Sequence, residues 1–318
     1  MNINKNIQIF LQQFDNLNDK KIAVGYSAGA DSTVLLHVLA QKSHHFGFSL
    51  EAVFFSHNGS PINYGEDKNL ILAKELCKNL NINLIEVELN LFKTAKKSWE
   101  QLGRNGRLDF YKKSNYDLIF LGHHQDDQNE TTMMQILRGG GRGVGGMKPI
   151  DGKFCRPMLN IQKKDIYKYL TDKSIPWIED PTNENIDFTR NFWRKVGLPT
   201  IEKYYPNYGQ LLENFREKNN NLNQIALDMA KIDGLENLIK GNSISIKELP
   251  EYRVNNLLTY AFSLIGNSLE GNKIENFLKI GKATKESEIL VGDYNLKFDG
   301  ENLMLFNLKH DIKTRFKP

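Results

Sequence analysis

The sequence predicts a parallel α/β sheet with helices on both faces, followed by a smaller, mostly helical domain with a small β-sheet. Three observations point there. Short apolar runs at Ile22–Val24, Leu50–Phe55, Ile82–Leu89 and Asp117–Gly122 alternate with segments whose apolar residues recur every three or four positions. Strands that alternate with helices build a sheet covered on both sides. The residues richest in chemistry, Ser27 to Ser32, His57-Asn58 and His123-His124, all follow these strands, where ligands bind in open parallel sheets. Finally, Pro199 and Pro206 punctuate the chain before a long helical pattern. The predicted division is 1–205 and 206–318.

Taken in order, Ile3, Ile7, Phe10, Leu11 and Phe14 form a helical stripe. Ile22 to Val24 reads as a buried parallel strand. Val34, Leu35, Val38 and Leu39 lie on one stripe of the next helix. Between strand and helix lies Ser27-Ala28-Gly29-Ala30-Asp31-Ser32, small residues and one carboxylate. A helix N-terminus presents free backbone N–H groups and partial positive charge, and small side chains let phosphate oxygens reach them. The alternative is an ordinary connection capped by Ser27 or Asp31. Residues 66–80 form a helix with Leu70, Ala73, Leu76, Cys77 and Leu80 apolar, and Trp99–Lys113 and 126–138 form two more.

Gly139 to Gly146 is a glycine-rich loop, read as mobile. Its literal Gly-x-Gly-x-x-Gly follows a helix rather than a strand, so it is not a dinucleotide fingerprint. Between Arg138 and Lys168 stand eight basic residues, including Arg142 and Lys163, against two acidic ones. Such a run is a solvated face or a track for a phosphate backbone. Residues 179–191 read as a structured loop. Phe215, Leu222, Ile225, Met229 and Ile232 keep a seven-residue spacing, expected to pack on neighbouring elements. Helices over 250–265 and 273–282 precede strands at Glu288–Val291, Tyr294–Phe298 and Leu303–Phe306, with Asp299-Gly300 as a turn.

The 318 residues carry 42 Lys+Arg and 38 Asp+Glu, 42 − 38 = +4. This mild basicity permits nucleic acid without demanding it. The two cysteines, Cys77 and Cys155, fall in no Cys-x2-Cys pattern, so no disulfide framework or zinc knuckle is suggested and a reducing, cytoplasmic location is expected. The first residues lack the apolar core of a signal peptide, and no run of about 18 apolar residues occurs.

A second dense stretch is Leu121-Gly-His-His-Gln-Asp-Asp-Gln-Asn-Glu-Thr. If a helix begins near Asp126, Asp127 and Glu130 share a face. Two carboxylates and an imidazole at a strand end can hold Mg²⁺, a substrate ammonium or a proton. The competing reading is a capping box made by Asp127 and Glu130. His124 is favoured over His123 for chemistry, though the sequence leaves this open.

Ser-x-Gly-x-Asp-Ser after the first strand resembles the pyrophosphate-binding loop (PP-loop) of ATP pyrophosphatases, whose usual form is Ser-Gly-Gly-x-Asp-Ser. Ala28 stands in the first glycine position; if that position needs φ > 0, alanine strains it by roughly 1 kcal/mol. Gly-His-His-x-Asp-Asp-x-x-Glu-Thr is similar to PP-loop enzymes that modify tRNA. Four further blocks resemble one family, the tRNA(Ile)-lysidine synthetases: Glu100-x3-Arg104-x2-Arg107; Arg138 to Met147; Arg156-Pro-Met-Leu with Trp177-x-Glu-Asp-Pro-Thr-Asn; and Arg190-Asn-x2-Arg194. The resemblance covers roughly residues 20–205, and the remainder is shorter than in long members. His57-Asn58-Gly59 departs from the family's Asp-His-Gly, which puts that carboxylate's role in doubt.

The resemblance implies an adenine-nucleotide α-hydrolase-like fold whose first domain binds ATP. It implies that ATP, with Mg²⁺, adenylates the C2 oxygen of the wobble cytidine of tRNA(Ile) with a CAU anticodon. Free lysine then displaces AMP to give lysidine. It assigns Ser27, Ala28, Gly29, Ala30, Asp31 and Ser32 to the phosphates and Asp31 to Mg²⁺ or lysine. Asp127 and Glu130 go to the lysine amine, Arg104 to phosphate or the tRNA strand, and His124 to a lesser catalytic role. It implies no membrane partner and allows a homodimer. A PP-loop thiolase or amidotransferase, and a non-catalytic tRNA- or nucleotide-binding protein, remain as alternatives.

Overall fold

A computed structural model describes residues 2–58, 66–90, 99–139, 144–179, 189–267 and 271–308. The chain divides into two compact units, Met1–Arg216 and Glu217–Pro318.

In the first unit, helix α1 (Ile3–Leu11) starts at Asn2, whose side chain accepts from the Lys5 N–H at 3.1 Å. Strand β1 (Lys21–Gly25) leads into α2 (Ala30–Phe46), which ends at Gly47 with φ 73°, the left-handed cap that glycine tolerates. Next come β2 (Ser49–Asn58), α3 (Glu66–Asn79), β3 (Asn83–Asn90), α4 (Trp99–Lys113), β4 (Leu118–Phe120) and α5 (Gln125–Leu137). Then β5 (Ile150–Asp151), β6 (Phe154–Cys155) and α6 (Lys163–Asp172) complete the sheet and its cover. The sheet order is β3-β2-β1-β4-β6-β5, with only β5 antiparallel among these pairs.

Strand alternation explains the two covered faces. Ile22, Val24, Ala52, Phe54 and Phe120 enter the core shared with α1, α2, α3 and α6. Ala23, Val53 and Ile119, one residue out of phase, enter a second core with Tyr111 of α4. β1 is buried at Ile22, Ala23 and Val24 because it is central. The chain winds outward from β1 through β2 and β3, then returns to β4 on the other side of β1. The ends of β1 and β4 therefore flank the point where the winding reverses, the usual crevice for a ligand.

Two expectations need correction. Pro199 does not punctuate the chain: α7 (Thr189–Phe192), a π turn (Trp193–Gly197) and α8 (Leu198–Tyr204) run across it without a break. Proline at the second position of α8 lacks an N–H and crowds the preceding turn, and the wider π turn just before it gives the room. The seven-residue repeat does lie on a long helix, α9 (Tyr208–Ile232), but Phe215, Leu222, Ile225 and Ile232 are exposed. The inward face instead carries Arg216, with its guanidinium on Asn129 and Thr132, and Ala230. The β5–β6 hairpin and α6 were not anticipated.

In the second unit, α10 (Leu235–Ile239), α11 (Glu251–Leu264) and α12 (Gly271–Thr284) pack with an antiparallel sheet. Its order is β7 (Ile244–Ser245), β10 (Asn302–Asn307), β9 (Tyr294–Phe298), β8 (Ser287–Val291).

Candidate active site

The Ser27–Ser32 segment joins β1 to α2. Ser32 Oγ donates to the Gly29 carbonyl at 3.1 Å, accepts from the Ser27 N–H at 3.2 Å and lies 3.2 Å from Ser27 Oγ. Ala28 sits at φ 60°, so the first-glycine position is left-handed and alanine pays for it in strain. Its carbonyl is pinned by the Ile178 N–H at 2.9 Å. The helix N-cap is Gly29, and no side chain caps it. Among the described residues no side chain accepts from the first-turn amides of α2, the arrangement an anion-binding helix start uses.

The β4–α5 junction comes close to this turn. A Cβ on Gly122 would lie 3.0 Å from both Asp31 C and Ser32 N, so only glycine lets the two junctions meet at this distance. His124 then caps α5. Its Nδ1 accepts from the Asp126 N–H at 3.2 Å, and its own N–H donates to Asp127 Oδ2 at 3.0 Å. The capping box is therefore His124 with Asp127, not Asp127 with Glu130, and the helix begins one residue earlier than expected. With Nδ1 accepting, the ring N–H is at Nε2, which faces Asp31 Oδ1 at 3.6 Å and Asp127 Oδ2 at 3.5 Å.

Asp127 and Glu130 are brought together in the interior, as spacing suggested, with Glu130 wholly buried. What the spacing could not show is what holds them. Arg190 Nε donates to Glu130 Oε2 and Arg194 Nε to Glu130 Oε1, both at 2.7 Å. The two Nη2 groups share Asp127 Oδ1 at 3.0 and 2.9 Å. Two carboxylates on one helix face meet two guanidiniums four residues apart on the next, a neutral lattice of charge-assisted bonds. Burial opposes the charge on Asp127, but His124, Arg190, His123 and the His124 N–H hold its carboxyl far below the usual range. Burial likewise opposes charge on both arginines, and the carboxylates keep them protonated.

Asp31 has a different partner. Lys163, the first residue of α6, places Nζ 2.7 and 2.8 Å from its two carboxylate oxygens and 5.0 Å from the centre of the Tyr167 ring. Lys163, read with its basic neighbours as a solvated face or a phosphate track, turns onto Asp31. Three others of that run bond locally: Lys153 donates to the Ser114 carbonyl, Arg156 to the Lys148 carbonyl, and Lys168 pairs with Asp172.

Two further titratable residues flank His124 in the chain. Asp126 is half-buried and keeps an accessible carboxyl whose pKa burial pushes upward. His123 is neutral because burial pushes its pKa down to about 4, and its Nδ1 has no partner among the described residues. Arg104 lies exposed on α4. The side chains of His57 and Asn58, Glu100, Arg142 with the tip of the glycine loop, and residues 180–188 lie outside the described residues. The loop's far end is anchored: Gln128 donates to the Met147 carbonyl and accepts from its N–H at 2.8 and 2.6 Å.

Residues 2–201 match the PP-loop domain family. The chain is 30% identical over 281 residues to a tRNA(Ile)-lysidine synthase of Nitrosomonas europaea, covering 85% of this chain and 58% of that protein. It is 32% identical over 213 residues to the same-named protein of Petrotoga mobilis, covering 64% of this chain and 68% of that one. Of the Legionella pneumophila (strain Lens) relative, 33% identical, it spans 44% of the length. Among solved structures, the U34-tRNA thiolase NcsA of Methanococcus maripaludis superposes with TM-score 0.56 at 16% identity, over 68% of this chain and 77% of that one, a likeness of fold. The chain belongs to the PP-loop family and, within it, to the tRNA(Ile)-lysidine synthases.

Proposed function

We propose that this protein is an ATP-dependent ligase that joins free lysine to C2 of the wobble cytidine of tRNA(Ile) with a CAU anticodon, releasing AMP and pyrophosphate. The observation that carries it is the uncapped, serine-braced start of α2 meeting an acidic, arginine-locked junction at the reversal of the sheet. Activation comes first, because a carbonyl oxygen leaves poorly until adenylated. The C2 oxygen attacks the α-phosphorus and the bond to pyrophosphate breaks. The lysine amine, having lost a proton, adds at C2 and expels AMP with the former carbonyl oxygen.

The Ser27–Ser32 amides and hydroxyls would bind phosphate oxygens. Mg²⁺ fits the donor chemistry: Asp31 offers a hard carboxylate beside a phosphate-binding turn, and Mg²⁺ commonly takes one or two carboxylates plus substrate phosphates. When bound, it would neutralise phosphate charge. Asp127 and Glu130 are assigned to the lysine amine. An incoming ammonium has to exchange with the guanidiniums of Arg190 and Arg194, which now take these oxygens. His124 orients Asp127 through the capping box, and exposed Arg104 is assigned to tRNA phosphate.

A thiolase needs reactive cysteines. Cys77 and Cys155 are buried, and burial pushes their thiols up to about 11 and about 12, so neither is a ready nucleophile. Replacing both with alanine should leave turnover intact. We place the protein in the cytoplasm, where its tRNA is found; among the described residues no helix is long and apolar enough to cross a membrane. A homodimer is supported by the exposed Leu222, Ile225 and Ile232 on α9, and sedimentation would measure it. The test of function is to mix protein, ATP, radiolabelled lysine and candidate tRNAs. Label confined to tRNA(Ile) with a CAU anticodon is expected; label in none overturns the reading.

A further inference from the structure

Lys163 is placed against local preference. α6 opens Lys163-Lys164-Asp165, so two cations precede the first-turn anion at the end where a helix dipole favours anions, and Gln162 offers no side-chain cap. A residue that breaks a local rule points to a task elsewhere. Here the amine reaches the first turn of α2 and bonds both oxygens of Asp31. About a quarter of each side chain remains exposed, so the pair lines an accessible surface rather than a sealed core. Asp31 Oδ1 also faces His124 Nε2. The ammonium is thus tied to a carboxylate of the first turn of α2, and among the described residues Asp31 is the carboxylate it bonds.

We infer that Lys163 is a phosphate-binding residue of the nucleotide site, parked on Asp31 until a nucleotide's phosphates take its ammonium. The inference rests on the nucleotide reading above and adds a ligand 132 residues from Asp31 in sequence. Phosphates arriving at the α2 amides bring negative charge to within reach of Nζ. A lysine ammonium then acts as a movable point charge, the form in which lysine binds phosphate, where an arginine would bring a fixed fork. The Tyr167 ring beneath it keeps the stem from straying into solvent.

The test is direct nucleotide binding by calorimetry on the full chain, with ATP and with adenosine. Lys163→Met is measured alone and in an Asp31→Asn background, with thermal melts to check folding and Lys163→Arg as the variant that keeps charge. The expected result is at least tenfold weaker ATP binding by Lys163→Met in both backgrounds, unchanged adenosine binding, and partial recovery in Lys163→Arg. Loss of the Lys163→Met effect once Asp31 is neutral would overturn the inference, because Lys163 would then be only that carboxylate's counter-ion. Equal loss for ATP and adenosine would overturn it too, as a structural effect. Failure of the unaltered protein to bind ATP would instead bring down the nucleotide reading.

Discussion

Two strand-to-helix junctions stand side by side at the centre of the sheet, and they are built on opposite plans. After β1 the chain uses small residues, a left-handed Ala28 and an N-cap without a side-chain bond, so backbone amides stay free. After β4 it uses His124 and Asp127 to close the helix start completely, and then buries Asp127, Gln128, Asn129, Glu130 and Thr132. The first junction offers backbone amides to a ligand; the second offers carboxylates that a ligand reaches only by displacing Arg190 and Arg194. The contrast teaches that one topological position can present either backbone or side chains, depending on which satisfies the first turn.

Breaking the closed junction should have the largest effect on stability. Glu130→Ala leaves two partly buried guanidiniums with half their acceptors gone, and removal of one partner from a buried network costs about 3–5 kcal/mol. Denaturant unfolding should show that loss, and a change below about 1 kcal/mol would mean the lattice is not what holds α7 to α5.

Acid should act on the same junction through His123. Its folded pKa of about 4 lies below the ordinary value near 6.5. The unfolded chain therefore binds the proton first, and stability falls as pH drops from about 6.5 towards 4, by up to about 3 kcal/mol. Asp127, also depressed, adds its loss only at lower pH, as its carboxylate protonates. His123→Asn should flatten the stability profile between pH 6.5 and 4 without altering the steeper fall below it. An unchanged profile would remove His123 from the account.

The open junction should tolerate change in its backbone. Ala28→Gly relieves a strain of about 1 kcal/mol, yet it gives up a buried methyl worth about 0.8 kcal/mol and loosens the unfolded chain. The net shift should stay within about 1 kcal/mol, with ATP binding retained. A larger loss would show that the methyl, not the turn, matters at this position.

How much of this was legible follows from distance in sequence. The turn after β1 could be read because strand, small residues and helix stripe are contiguous, and the resemblance to a two-glycine loop raised the question of a left-handed Ala28, which its φ of 60° answers. The pairing of Asp127 with Glu130 followed from a three-residue offset. Their partners did not: Arg190 and Arg194 lie some sixty residues downstream, and no period links them to α5. Lys163 was grouped with its basic neighbours because nothing in Gln162 or the residues before it fixes the phase of α6. The apolar repeat on α9 was taken as a buried stripe because apolar spacing outweighs a lone arginine in any pattern. In the fold, hydrogen bonds to Asn129 and Thr132 bury Arg216, and Phe215 is left outside.

The measurement that bears most directly on the open junction is AMP formation by Asp31→Ala, with ATP, lysine and tRNA supplied and folding checked by circular dichroism. Asp31 lies in the first turn of α2, partly exposed, and its ion-pair partners among the described residues are Lys163 and His124, so its loss should leave the fold intact. The expected result is a folded protein that forms no AMP. Unchanged AMP release from a folded Asp31→Ala protein would contradict the assignment of this turn to the nucleotide.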